Sequence, residues 1–135
     1  MGESVDHSLL DSPECWPALP LEAWKDTCAT LHMWTQIVGK VRLALTPRIN
    51  HWWNVPLYVS ARGLTTTEIP YGDRWFEMEF DFLEHVLMIR VNDGASHAIA
   101  LAPRTVADFH ATVTSALIIT GRKLLTRFHP GLRIA

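Results

Sequence analysis

The chain has 135 residues, 48% of them hydrophobic and 19% charged, with a formal net charge of −2. That size fits one globular domain, and the composition excludes a disordered chain. The interspersed charge lacks the basic footprint of a nucleic-acid-binding domain, and no apolar run reaches the ~18 residues of a membrane span. Six tryptophans promise a sizeable core, or a core with an aromatic-lined cleft.

Residues 1–15 are polar and aperiodic and read as a loose lead-in, 16–121 as a single α+β domain, and 122–135 as an irregular basic tail. The start, Met1-Gly2-Glu3-Ser4-Val5-Asp6, is acidic and lacks the apolar core of a secretory signal. Gly2 invites a myristoylation reading, but Asp6 stands where Ser or Thr is needed. Cys15 and Cys28 form neither a CxxC pair nor a disulfide framework, so the expectation is a cytoplasmic protein with reduced thiols.

Pro17 and Pro20 fix an extended approach to a helix over Leu21 to Leu45. Trp24, Cys28, Leu31, Val38 and Leu45 recur at helical spacings, and Trp34, Ile37, Val41 and Ala44 widen the stripe. His32, Gln36 and Lys40 stack four apart on the opposite arc, and Pro47 closes the element. A strand follows, with Trp53, Val55, Leu57 and Val59 on one face and Asn54, Pro56, Tyr58, Ser60 and Arg62 on the other. Pro56 assigns it to an edge or a bulge. Arg62-Gly63 turns the chain, and the β-branched run Leu64 to Ile69 returns.

Phe76, Met78, Phe80 and Phe82 alternate with Glu77, Glu79 and Asp81, the mark of a half-buried strand. Val86 to Val91 answers it. A two-residue loop at Glu84-His85 would set Asp81 opposite Met88 and Glu79 opposite Arg90. Asn92-Asp93-Gly94 signals another turn, and a loop of Asp93 to Ala95 would bury Ile99 and Leu101. Thr105 and Asp108 form a capping box before a last helix with Val106, Phe109, Val113 and Leu117 inward, stopped at Gly121. The fold expected is α+β: an antiparallel sheet of about five strands, with a long N-terminal helix and a C-terminal helix on one face.

The run Leu31-His32-Met33-Trp34-Thr35-Gln36-Ile37-Val38-Gly39-Lys40, then Asn50-His51-Trp52-Trp53 and Pro56 to Leu64, resembles a bacterial family, domain of unknown function 5996. The similarity continues through Ile69-Pro70-Tyr71-Gly72, Phe80-Asp81-Phe82, Pro103-Arg104 and Val106-Ala107-Asp108-Phe109, covering residues 16 to 117. The resemblance brings no activity with it. It implies longer relatives with a second half, so that this chain reads as a truncated or single-unit form whose tail departs from the family.

Two constellations could carry chemistry. His32, Gln36, Lys40, His51, Trp53 and Arg62 could line a pocket for an anionic small molecule; the same spacing is what any amphipathic helix gives. Tyr58, Ser60, Glu77, Glu79, Asp81 and Arg90 could share a polar sheet face whose close carboxylates act as acid, base or ligand. That face also reads as a solvated surface, or as the seat of a second copy or a missing half. Trp52 and Trp53 read as core or cleft wall.

The seven histidines include no HxH, HxxxH or HExxH pair, so no metal site is expected. Neither a GxSxG nucleophile nor a phosphate loop is present, and no cofactor follows. The leading expectation is a small-molecule-binding or enzyme-like domain; the alternative is a non-catalytic interaction module that pairs through its polar sheet face with a second copy, as a homodimer, or with a missing second half, and no nucleic-acid or membrane partner is expected.

Overall fold

Helix α1 spans Leu21–Leu45, the bounds its periodicity sets. The computed structural model describes residues 17–121; the lead-in, Trp16 and the basic tail lie outside the described residues. Six strands follow: β1 (Tyr58–Val59), β2 (Gly63–Thr65), β3 (Ile69–Tyr71), β4 (Arg74–Asp81), β5 (Val86–Val91) and β6 (Ser96–Ala100). Helix α2, Val106–Gly121, is the last element among the described residues, with the Asp108 N–H donating to the Thr105 hydroxyl at 3.1 Å as an N-terminal cap. No helix among the described residues is long and apolar enough to cross a membrane.

The sheet is antiparallel throughout, ordered β1-β2-β4-β5-β6, with β3 also on β4. Strands β2 and β3 are successive segments along one side of β4. Thr65 faces Glu79 and Ile69 faces Phe76, so Thr66, Thr67 and Glu68 oppose only Glu77 and Met78. This extra residue is a β-bulge, and Thr67 takes a left-handed φ of 57° within it. The buried Thr66 hydroxyl repairs the ladder: it accepts the Met78 N–H at 3.0 Å and donates to the Thr67 carbonyl at 2.7 Å. The single returning strand expected over Leu64 to Ile69 is therefore two.

Phe76, Met78 and Phe80 of β4, with Leu87, Ile89 and Val91 of β5 and Ile99 of β6, form the inner face. Trp34, Ile37, Val38 and Val41 of α1 and Phe109, Val113, Ala116 and Leu117 of α2 cover it. The Trp34 and Phe109 rings stack at 4.5 Å and join the two helices.

Three further expectations need correction. Glu77 faces Arg90, Glu79 faces Met88 and Asp81 faces Val86, because β4 ends at Asp81 and the turn takes Phe82 to His85. The β5–β6 loop is likewise Asn92 to Gly94, closed by the Val91 N–H on the Ala95 carbonyl. Both slips are of two residues, so every side chain keeps its face. The third concerns Trp53 to Leu57, which is not a strand. Residues Asn50–Trp52 make a 3₁₀ turn, His51 and Trp52 have positive φ, and pairing begins only at Tyr58. Trp53 is 64% exposed, while Asn54 is buried and folds this loop onto the end of α1. Its side-chain oxygen accepts the Ile49 N–H, and its amide donates to the Thr46 hydroxyl at 2.9 Å.

Candidate functional site

The loop that Asn54 pins leaves a cleft of about 520 Å³ between α1 and the segment entering the sheet. Gln36, Gly39 and Lys40 form its helical wall, and Val55, Leu57 and Leu64 the facing apolar one. Gly39 keeps the helical wall low, since a Cβ there would meet nothing within 4 Å. Lys40 is half-buried and, among the described residues, has no carboxylate within ion-pair distance.

Arg42, two residues on, is a polar residue the periodicity does not single out. It is 7% exposed, and its guanidinium donates to the Pro56 carbonyl at 2.6 Å and to the Thr67 hydroxyl at 3.4 Å. It lies 5.4 Å from the Tyr58 ring centroid, its Nε has no acceptor, and no carboxylate pairs with it among the described residues. A buried cation held by a carbonyl, a hydroxyl and a ring stitches the helix to the bulge and leaves positive charge uncompensated. Its only sequence signal is an arginine beside the apolar Val41.

The structure splits the first expected constellation. Gln36 and Lys40 share the cleft; His32 is exposed one turn earlier on α1. His51 and Trp53 are exposed neighbours, their ring centroids 6.1 Å apart, and neither lines the cleft. Arg62 belongs to the other constellation, with its Nε donating to Asp81 at 2.5 Å.

The polar sheet face does assemble. Ser60 donates to Glu79 at 2.7 Å, and Arg90 bridges Glu77 at 3.1 Å and Glu79 at 2.9 Å. Arg62 joins Asp81 to Glu84. The Ser60 hydroxyl, then Arg90, holds Glu79 below its ordinary carboxylate value despite partial burial. Arg62, followed by the Glu84 and Leu83 N–H groups, does the same for Asp81. Depressed carboxylates already engaged by arginine are poor proton acceptors, so this network is structural in character. Tyr58 stands apart from it, against Arg42.

A second cleft, of about 610 Å³, lies between the N-terminal half of α1 and the β4–β5 turn. Trp24, Leu31, Trp34, Phe82 and Leu101 line it, with Asp26 at its rim. The alternation of β4 assigns Phe82 to the core; it sits instead in the turn, 38% exposed.

This α+β layer with clefts on both halves of its long helix defines a class of small domain rather than an activity. The chain belongs to the family of unknown function DUF5996, whose family model matches residues 16–130. The match runs past Gly121, so the tail shares the family pattern further than its composition indicates. No curated protein and no solved structure matches the chain.

Proposed function

We propose that this domain binds a small anionic molecule with an apolar body in the cleft between α1 and the loop before β1. The observation that carries the reading is Lys40: a half-buried lysine on the cleft wall facing Val55, Leu57 and Leu64, without a carboxylate partner among the described residues. A charge drawn from water gains most from an opposite charge that arrives with its own desolvated body. Arg42, buried close by on the same helix, adds to the positive potential. Gln36, four residues before Lys40, supplies a neutral donor and acceptor to orient the ligand. The described lining contains no carboxylate, histidine or cysteine, which favours binding over catalysis.

The alternative, a non-catalytic module docking a second copy or a missing half through its polar sheet face, draws less support. The arginines of that face are already engaged within the chain, Arg62 by Asp81 and Arg90 by Glu77 and Glu79, and the excess of carboxylate that remains would repel a second copy of the same face.

Thermal unfolding of the full chain with benzoate, hexanoate and inorganic phosphate tests the proposal. Benzoate or hexanoate should raise the melting temperature of wild type and leave Lys40→Met unmoved. His32→Ala and Arg62→Ala should respond like wild type, because neither residue lines the cleft. An equal shift in Lys40→Met, or none in wild type, would sink the reading.

A further inference from the structure

We propose that the second cleft, between the N-terminal half of α1 and the β4–β5 turn, is a separate site for an organic ammonium ion. Its walls carry the rings of Trp24, Trp34 and Phe82 beside the aliphatic Leu101. Trp34 is fixed in place: it is 6% exposed and stacks on Phe109 at an interplanar angle of 15°. Phe82, 38% exposed, stands at the open side.

Aromatic rings present negative faces, tryptophan most strongly, and they attract a cation that sheds its water cheaply. Among the described lining residues Asp26 is the only carboxylate, and it has no ion pair or hydrogen bond with the described residues; His85 is the other ionisable side chain on that lining. The described lining contains no lysine or arginine. An anion would meet Asp26 and the ring faces with the wrong sign. A small hydrated cation would forgo the apolar walls, and a neutral hydrocarbon would leave Asp26 unanswered. A cationic nitrogen wrapped in alkyl or aryl carbon uses both. The two clefts share α1 but no lining residue, and they select ligands of opposite charge.

Three probes with the same branched head separate charge from shape: choline, its neutral isostere 3,3-dimethylbutan-1-ol, and the anion 3,3-dimethylbutanoate. Each is titrated into the full chain and followed by amide chemical shifts and tryptophan emission. Choline should bind saturably, about tenfold tighter than the alcohol, with the anion weakest. Asp26→Asn changes an exposed side chain, so it should leave the fold intact, weaken choline about fivefold and spare the alcohol. Phe82→Ala should weaken both, and Lys40→Met neither. Equal affinity for choline and the alcohol, an Asp26→Asn protein that binds choline like wild type, or no saturation by choline would each overturn the proposal.

Discussion

Asp81 shows why the polar residues of this chain are easy to find and hard to interpret. Alternation along β4 places it on the face opposite the core, which is all a period of two can tell; there it is buried rather than solvated, 3% exposed. Its role depends on the turn that follows. One carboxylate oxygen accepts the Leu83 and Glu84 N–H groups, both at 3.0 Å, and the other takes Arg62. A group so committed fastens β4 to its turn and to the β1–β2 corner. Glu79 is held low by Ser60 and Arg90, and Asp93 by the Ala95 N–H and then Arg74. Lowered folded values mean that the unfolded chain takes up protons first as the pH falls. The stability these groups contribute is therefore complete above the ordinary carboxylate values of about 3.9 and 4.3, and it drains away as the pH drops through the folded values. Urea midpoints measured from neutral pH downward should stay level and then fall below about pH 4. Asp81→Asn retains an oxygen for the turn but loses the charge, so its acid slope should be shallower than that of wild type. An unchanged slope would show that Asp81 titrates alike in both states.

Among the elements, β2 is the one most tightly bound to a single residue. Gly63 pairs with Asp81, and a Cβ built on it would lie 1.9 Å from the Phe80 carbonyl oxygen and 3.1 Å from its carbon. The obstacle is backbone, so no rotamer relieves it. The Gly63 N–H also donates to the Ser60 hydroxyl at 3.0 Å, which locks the corner. Gly63→Ala should separate β2 from β4 at a cost at the upper end of the ~1–3 kcal/mol of an overpacked site, or beyond it. Hydrogen exchange would show the loss: protection should fall along β1 and β2 while β5 and β6 hold. Protection lost evenly across the sheet would contradict this. The glycine is legible as a turn signal, but its close approach to Phe80 is not, because nothing local encodes the strand lying beside it. The loop before β1 escaped for a related reason. Its apolar residues alternate as a strand would, yet Asn54 offers the backbone and Thr46 better hydrogen bonds than a ladder interrupted at Pro56.

At the scale of the whole molecule, α1 outreaches the core it covers. Beyond a kink at Trp24, where φ is −138° and ψ 18°, the helix from Lys25 to Leu45 extends about 31 Å, while the eight residues of β4 extend about 27 Å. Its buried residues run only from Trp34 to Arg42. The overhang before Trp34 becomes the wall of the aromatic cleft, and the outer side of the last turns becomes the wall of the Lys40 cleft. Both clefts therefore depend on where the core grips the helix, and the stack of Trp34 with Phe109 marks the N-terminal end of that grip. Phe109 is fully buried, so Phe109→Ala should cost about 3–5 kcal/mol, a large share of the ~5–15 kcal/mol that holds a domain together. Because helices and sheet share one apolar cluster, the loss should be global. Far-ultraviolet dichroism and tryptophan emission should report the same lowered urea midpoint, with an unchanged slope. If α2 instead melts first, leaving the sheet signal intact, α1 is held by the sheet alone. The stack would then be dispensable to both clefts, and Phe109→Ala would bind benzoate and choline as wild type does.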